Sequence, residues 1–217
     1  MKKVHIFLAL ILLSAFGFIG SSCDTANKKN VQSLENVKDG DIIFQSSQSG
    51  QCEAIRIATN SKFSHCGIIY IVNGKKYVYE AVQPVSSAPL EQWIKHGEGN
   101  AFVIKRLKNA ATVLDAATLK KMKDYGSKFN NKDYDLYFGW SDDKIYCSEL
   151  VWKIYKNGAN IELCKLASLK NFNLDNPKVK AILAERYGNR IPLEEQVVAP
   201  SQIESSALLE TVIDTYK

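Results

Sequence analysis

The chain has 217 residues, of which 46% are apolar and 24% charged, with a formal net charge of +5. That length suits one domain with a full hydrophobic core, and this balance excludes a fibre or a disordered chain. The small positive excess is scattered along the chain, so we expect no nucleic-acid partner.

The first 22 residues are typical of a secretory signal peptide. Lys2 and Lys3 give a basic start, an apolar run covers residues 6–19, and Gly-Ser-Ser at 20–22 supplies small residues. The run is short for a helix that crosses a bilayer. We therefore predict that the chain is exported.

Small residues directly before Cys23 resemble the lipobox of bacterial lipoproteins. The resemblance implies that residues 1–22 are removed and that Cys23 becomes the lipidated first residue, anchored in the bacterial membrane at the cell envelope. Plain cleavage nearby and a short membrane anchor are the alternatives. Residues 23–36 are polar and aperiodic, as expected of a tether, so the predicted folded domain is 37–217.

The first predicted elements of the domain are a short buried strand at residues 42–44 and a helix at 52–59. Two β-rich runs then flank Asn73-Gly74, the strongest short signal for a β-hairpin. With those two residues in the turn, counting outward along both strands pairs Gly67 with Glu80. His65 is then a diagonal neighbour of Glu80 on the same face of the hairpin, within side-chain reach.

Further elements follow in a mixed order. We predict a short packing helix within residues 89–97, a strand at 101–107 and a longer helix at 115–129. A helix from Asn176 and Pro177 to Gly188 and a last helix over 201–213 follow. Helices and antiparallel strands mix without βαβ alternation, which indicates an α+β fold.

One helix is predicted to begin beside Cys147. Leu150, Val151 and Ile154 follow at i+3, i+4 and i+7, so the thiol shares the apolar stripe that faces the interior. Asp142 or Asp143 can cap the start of the helix. Glu149 places a carboxylate in the first turns, where the helix dipole stabilises negative charge. Asn157-Gly158 can end the helix.

A thiol in the first turn of a helix meets unpaired N–H groups and the positive end of the helix dipole. Both favour the thiolate, which is the nucleophilic form. The alternative is that Cys147 is only a small buried apolar residue. With His65 as general base and Glu80 as its orienting carboxylate, Cys147 would complete a site for nucleophilic catalysis.

The chain resembles the circularly permuted branch of the NlpC-type, papain-like cysteine hydrolases, often called YiiX-like. The matching segments are Gly-Asp-Ile-Ile-Phe at 40–44, Phe-Ser-His-Cys-Gly-Ile at 63–68, Tyr-Glu-Ala at 79–81, Tyr-Asp at 134–135, Tyr-Cys-Ser-Glu-Leu-Val at 146–151 and Val-Ala-Pro-Ser-Gln-Ile at 198–203. Together they cover nearly the whole predicted domain.

The resemblance implies a papain-like core in which the histidine strands precede the cysteine helix, with Cys147, His65 and Glu80 as catalytic triad. It also implies cleavage of an amide bond in a cell-wall peptide, with Tyr146 and Asp41 lining the substrate groove. Asp41 has an alternative role as a turn-capping residue. The functional alternatives are hydrolysis or transfer of acyl groups of lipids at the same site, and a non-catalytic binding lipoprotein.

Four cysteines remain after Cys23, and in an exported protein they allow three complete disulfide pairings. Cys147 could be tied to Cys164, and Cys66 is expected to pack or to bond with Cys52, because it should point away from the face of His65. None of these cysteines has metal-ligand spacing with a histidine. We therefore expect no metal site and no cofactor.

Overall fold

The computed structural model describes residues 34–216. Eight strands are present in this part: β1 (Ile42–Gln45), β2 (His65–Val72), β3 (Lys75–Glu80), β4 (Ser86–Pro89), β5 (Val103–Leu107), β6 (Ala167–Ser168), β7 (Gln196–Val197) and β8 (Leu209–Asp214). Six of them form one antiparallel sheet in the order β4-β3-β2-β1-β5-β8, and β6 pairs only with β7.

Seven α-helices accompany the strands in the described residues. They are α1 (Gly50–Thr59), α2 (Leu90–Lys95), α3 (Ala110–Val113), α4 (Ala116–Ser127), α5 (Cys147–Ala159), α6 (Pro177–Tyr187) and α7 (Pro200–Glu204). The helix α5 packs on β2 and on α4, while α2 packs on β3 and β4. The mixture of an antiparallel sheet with helices is the α+β fold that the element order predicts.

The hairpin of β2 and β3 has the predicted turn and register. Asn73 and Gly74 both have positive φ, as a two-residue turn between twisted strands requires. Val72 pairs with Lys75 and Ile68 with Tyr79. This register sets which side chains of the two strands share a face.

The core lies between the sheet and α5. Every residue of α5 from Cys147 to Tyr155 is buried, because the sheet covers one side of the helix, and α4 and neighbouring loops cover the rest. Leu150 and Ile154 are fully buried, and each such side chain contributes about 1.5–3 kcal/mol to folding. This burial fixes the position of Cys147 at the start of the helix.

The end of α5 differs from the prediction. The helix continues through Asn157-Gly158 to Ala159 and ends at Asn160, which has the left-handed conformation. Gly158 stays helical because it lies against Met122 of α4, where a Cβ would come within 2.5 Å of the Met122 Cα. The glycine allows two helices to approach closely and does not stop the helix.

The predicted last helix over 201–213 is wrong for most of its length. Only α7 is helical, and β8 then pairs with β5 as an edge strand. Leu209 and Ile213 are buried on the sheet. Pairing with the distant strand β5 makes this segment a strand, and the local periodicity of the sequence could not reveal that pairing. In contrast, α6 begins with Asn176 as N-cap and Pro177 in its first turn, and Gly188 follows it, as predicted.

The predicted signal peptide and Cys23 lie outside the described residues. Within residues 34–216, the helices are all too short or too polar to cross a bilayer.

We expect Gly158→Ala to lower the free energy of unfolding by about 1–3 kcal/mol, because the added methyl group collides with backbone atoms of α4. Urea unfolding followed by circular dichroism would measure the change. Gly50→Ala is the matched control, since a Cβ at Gly50 meets nothing within 4 Å. Equal stability of the two variants would contradict this account of Gly158.

Candidate active site

The helix α5 presents Cys147 as its first residue. Tyr146 before it is extended, and the cysteine side chain is 2% exposed. The backbone N–H groups of a first helical turn have no partner within the helix, so the sulfur lies at the positive end of the dipole. The predicted position of the thiol is therefore correct.

The hairpin brings His65 and Glu80 together. His65 is the first residue of β2, Glu80 the last of β3, and Nε2 of the imidazole contacts Oε2 of the carboxylate. Because Nε2 is engaged in this way, Nδ1 is the ring nitrogen left to face a nucleophile. The expected contact between the histidine and the carboxylate is present.

Trp93 on α2 supports both groups from the opposite side. Its indole N–H donates to Oε2 of Glu80 over 2.7 Å, and its ring stacks on the His65 ring with centroids 5.7 Å apart. The sequence predicts the short helix that carries Trp93 but no polar role for this residue. A buried tryptophan needs an acceptor for its N–H, and that need was the available signal for a polar role.

The sulfur of Cys147 meets two groups of β2. A hydrogen bond from the Cys66 thiol, then the hydrogen bond and positive charge of His65, lower the pKa of Cys147 well below its ordinary value, against the opposing effect of burial. Burial by itself would lower the pKa of His65, but Cys147 and Glu80 more than offset it and raise that pKa. The site therefore favours a thiolate and an imidazolium as a pair.

The four cysteines in the described residues are all free thiols. Cys66 packs, as expected, and it packs directly on the nucleophile; burial and its neighbour Cys147 raise the pKa of Cys66 well above the ordinary value. Cys66 is thus the donor and Cys147 the acceptor in their hydrogen bond. Neither the Cys66–Cys52 nor the Cys147–Cys164 disulfide is formed.

A buried carboxyl group and a lysine hold the start of α5. Glu149 is fully buried, accepts the N–H of Tyr146 at 3.3 Å and lies 2.7 Å from Nζ of Lys153. Burial raises the pKa of Glu149 to about 8, although Lys153 opposes the shift. Asp142 does not cap the helix as predicted, because its carboxylate binds Lys153 at 2.7 Å instead. Asp142 therefore connects the loop before α5 to the side of the helix through Lys153.

Tyr146 lines the cavity beside Cys147, and its hydroxyl accepts the backbone N–H of Val198 at 3.1 Å.

Asp41 lies elsewhere: it accepts the N–H of Lys38 at 2.8 Å and binds Arg106 at 2.7 Å. These are the contacts of the turn-capping alternative. Asp41 precedes β1 while Gln45 at the other end pairs with His65, which separates Asp41 from the site by roughly 13 Å of strand.

Tyr134 was part of a matching motif but was not predicted as a site residue. Its hydroxyl accepts a hydrogen bond from the Gln51 side chain at 3.3 Å and also lies within hydrogen-bonding reach of the Cys147 sulfur. Burial, reinforced by the nearby thiolate, raises the pKa of Tyr134 well above the ordinary value. The raised pKa favours the protonated phenol, which can donate a hydrogen bond beside the nucleophile.

Two depressions meet at the site. A cavity of about 100 Å³ reaches Cys147 and Ser148 and is walled mainly by α1 and α6. A more open and more polar groove passes His65 and Glu80. Gln51, Ile55 and Tyr134 border both, so the cysteine and histidine approach the same junction from different sides.

The described residues contain no group of three or more His, Cys, Asp or Glu side chains arranged to hold a metal ion.

A nucleophilic cysteine at the start of a buried helix, packed on an antiparallel sheet that carries its histidine, defines a papain-like cysteine hydrolase. The histidine strands come before the cysteine helix, so the fold is the permuted form. Residues 36–213 match the model of the permuted papain-like amidase enzymes, YaeF/YiiX, C92 family. The chain belongs to this family, and the recognition from sequence is confirmed.

Two relatives from Escherichia coli are similar to the chain. The uncharacterized protein YiiX of strain K12 is 45% identical over 173 residues, which are 80% of this chain and 84% of that protein. A crystal structure from strain O157:H7, titled as the metalloprotein yiiX, DUF1105, has a TM-score of 0.79 and 44% identity, covering 83% of this chain and 98% of that one.

We expect Cys66→Ala to shift the pH profile of Cys147 alkylation upward. The Cys66 thiol is the foremost of the groups that lower the pKa of Cys147, so its loss leaves less thiolate at mildly acidic pH. Iodoacetamide labelling with peptide mass spectrometry would follow the rate at Cys147 alone. Cys164→Ala is the control, and identical profiles for the two variants would exclude the thiol–thiolate hydrogen bond.

Proposed function

We propose that the protein hydrolyses amide bonds with Cys147 as nucleophile, His65 as acid and base, and Glu80 as the group that orients the imidazole. The observation that carries this proposal is the meeting of a buried thiol with a low pKa and a histidine held by a carboxylate at the junction of two depressions. Family membership supports an amidase activity of this kind.

The reaction then has two stages. The thiolate attacks the carbonyl carbon, a C–S bond forms, and the tetrahedral intermediate expels the amine as His65 passes its proton to the nitrogen. Water next attacks the thioester while His65 takes a proton from it, and the carboxylic acid leaves as the thiolate returns. Glu80 and Trp93 keep the ring in one tautomer and orientation throughout.

Two donors are available for the oxyanion of the intermediate. The N–H of Cys147 has no intrahelical partner, and the Tyr134 hydroxyl keeps its proton while it accepts from Gln51. Losing one such donor costs on the order of 3 to 4 kcal/mol of transition-state stabilisation in related hydrolases. This supports acyl-transfer chemistry over a merely buried cysteine.

For the substrate, the resemblance implies a cell-wall peptide. A peptide site needs charged groups for amino-acid termini. Among the described residues that line the cavity beside Cys147, Arg186 is the one with a permanent charge. Its guanidinium already donates to the backbone oxygen of Leu136 and to Gln51. This observation favours the alternative, in which the enzyme acts on an apolar acyl group. The non-catalytic alternative finds little support, since Cys147 is a free thiol.

For location, we propose export and a lipid anchor on Cys23, supported by the apolar run at 6–19 and the small residues before the cysteine. The active site would then work at the surface of a bacterial membrane.

We expect Cys147→Ala to abolish amide hydrolysis and His65→Ala to lower kcat by about 10²- to 10⁴-fold, the usual contribution of a general acid–base group. Glu80→Gln should cause a smaller loss, because the glutamine can hold the ring but not its positive charge. Release of free amine from acylated amines would be followed with a fluorogenic amine reagent.

Cys164→Ala and Glu91→Gln are the matched controls, since Cys164 is a partly buried residue packed against the core and Glu91 is exposed on α2. Full activity of Cys147→Ala on a substrate that the wild type cleaves would remove the proposed mechanism.

The lipid anchor has its own test. Cys23→Ser should prevent lipidation, so the protein should leave the membrane fraction and lose the mass of its acyl groups. Fractionation and intact-protein mass spectrometry would measure both. A serine variant that stays membrane-bound with unchanged mass would refute lipidation at this residue without touching the enzymatic proposal.

A further inference from the structure

Two thiols meet at the nucleophile. Cys66 directly follows His65 on β2 and is fully buried, while Cys147 begins α5 and is 2% exposed. The thiol and the backbone N–H of Cys66 both hydrogen-bond to the Cys147 sulfur. Because the side chain and the backbone of one residue reach the same atom, the two sulfurs are direct neighbours. Amide hydrolysis forms no bond to the second sulfur, which leaves that sulfur free for other chemistry.

This contact differs from the disulfide pairings that the sequence left open. Those pairings join Cys66 to Cys52 and Cys147 to Cys164, and neither bond is present. The packing of α5 on β2 brings Cys147 to Cys66 instead. A disulfide joins residues whose Cα atoms are close together, so direct contact of the two sulfurs makes Cys66 the thiol placed to bond with Cys147.

The two thiols ionise differently, as the partners in an oxidation reaction require. The hydrogen bond from Cys66, then the hydrogen bond and charge of His65, lower the pKa of Cys147, whereas burial and the neighbouring Cys147 raise the pKa of Cys66. Peroxides react with the thiolate form of a cysteine. Cys147 is therefore oxidised first, and Cys66 keeps its proton during that step.

Access to the two sulfurs follows the same order. Cys147 lines a cavity, so hydrogen peroxide, which is hardly larger than water, can reach its sulfur. Cys66 is not among the described residues that line this cavity or the neighbouring groove. The second thiol therefore meets an oxidant only through Cys147.

We propose that Cys66 and Cys147 form a modification site, at which hydrogen peroxide converts two free thiols into a disulfide that reversibly blocks the nucleophile. This property goes beyond amide hydrolysis and does not depend on which substrate the enzyme cleaves.

The chemistry takes two steps. The Cys147 thiolate attacks one peroxide oxygen, an S–O bond forms, the O–O bond breaks, and the departing hydroxide takes the proton of the His65 imidazolium to become water. Cys66 then attacks the sulfur of this sulfenic acid. An S–S bond forms, the S–O bond breaks, and the hydroxide leaves with the Cys66 proton as a second water. The two sulfurs lose two electrons, which the peroxide gains.

The disulfide both stops and preserves the enzyme. Cys147 has no thiolate while it is bonded to Cys66, and a dithiol restores the thiolate by thiol–disulfide exchange. Without Cys66, further peroxide converts the sulfenic acid into sulfinic and sulfonic acids, which a dithiol does not reverse. The neighbouring thiol thus decides whether oxidation of the nucleophile can be undone.

Peptide mapping of the whole protein tests the proposal. The reduced protein is exposed to a small excess of hydrogen peroxide, its free thiols are blocked with iodoacetamide in denaturant, and trypsin digests it without reduction. Cleavage after lysine places Cys66 in the peptide 63–75 and Cys147 in the peptide 145–153, each with a single cysteine. We expect these two peptides to be found joined, two hydrogen atoms lighter than their sum. Alkylated, unlinked 145–153 should fall about tenfold and return after dithiothreitol.

Cys66→Ala distinguishes the disulfide from simple oxidation. In this variant the peptide 145–153 should gain two or three oxygen atoms, and dithiothreitol should not restore its alkylation. Cys164→Ala, which removes a partly buried thiol packed against the core, is the matched control and should behave as the wild type does.

The wild-type map decides the outcome even if Cys66→Ala does not fold. A wild-type protein that stays unmodified, that gains oxygen on Cys147 without joined peptides, or that joins Cys147 to Cys52 or Cys164 would overturn the proposal. Full recovery of Cys66→Ala with dithiothreitol would do the same. The map needs no substrate, so joined peptides in a protein that cleaves no amide would refute the catalytic proposal alone.

Discussion

A buried thiol whose pKa is lowered at the start of a helix is the constraint on which the rest of this structure depends. A thiolate in an apolar interior is unstable unless positive charge and hydrogen-bond donors surround it. Here the imidazole of His65, the thiol of Cys66 and the open end of α5 supply them. These three groups surround the sulfur only if α5 packs with its first residue at the beginning of β2. The apolar face of the helix enforces this packing.

The groups around this pair are themselves held by buried polar contacts. Glu80 and Trp93 fix the histidine from the side of the sheet, while Glu149 and Lys153 fix the loop that leads into the helix. Buried polar groups of this kind are expensive to desolvate and contribute little net stability, so their value lies in specifying one geometry. A catalytic site benefits from that rigidity, because a misplaced imidazole loses the proton transfer.

The two sides of the cleft come from different parts of the fold. The sheet and its hairpin provide the polar groove, whereas α1, α6 and the segments around β6 and β7 provide the apolar cavity. The papain-like core thus carries the chemistry that the family shares. The helices α1 and α6 shape the cavity that leads to it. Proteins that share a fold can differ in substrate through such surroundings of the site.

The sequence by itself determined the local parts of the site. The Asn73-Gly74 turn set the hairpin register, and the register put His65 near Glu80; the apolar stripe after Cys147 set the helix and its direction. These features follow from neighbours in the chain, so periodicity and turn chemistry suffice.

Only the tertiary structure decided the rest, because it depends on contacts between distant segments. Gly158 continues α5 because Met122 of another helix lies against it, and the last segment becomes β8 because β5 offers an edge. Trp93, Cys66 and Tyr134 acquire roles through partners far away in sequence. The apolar cavity has no signature in any one stretch, since it exists only where α1 and α6 enclose space beside Cys147.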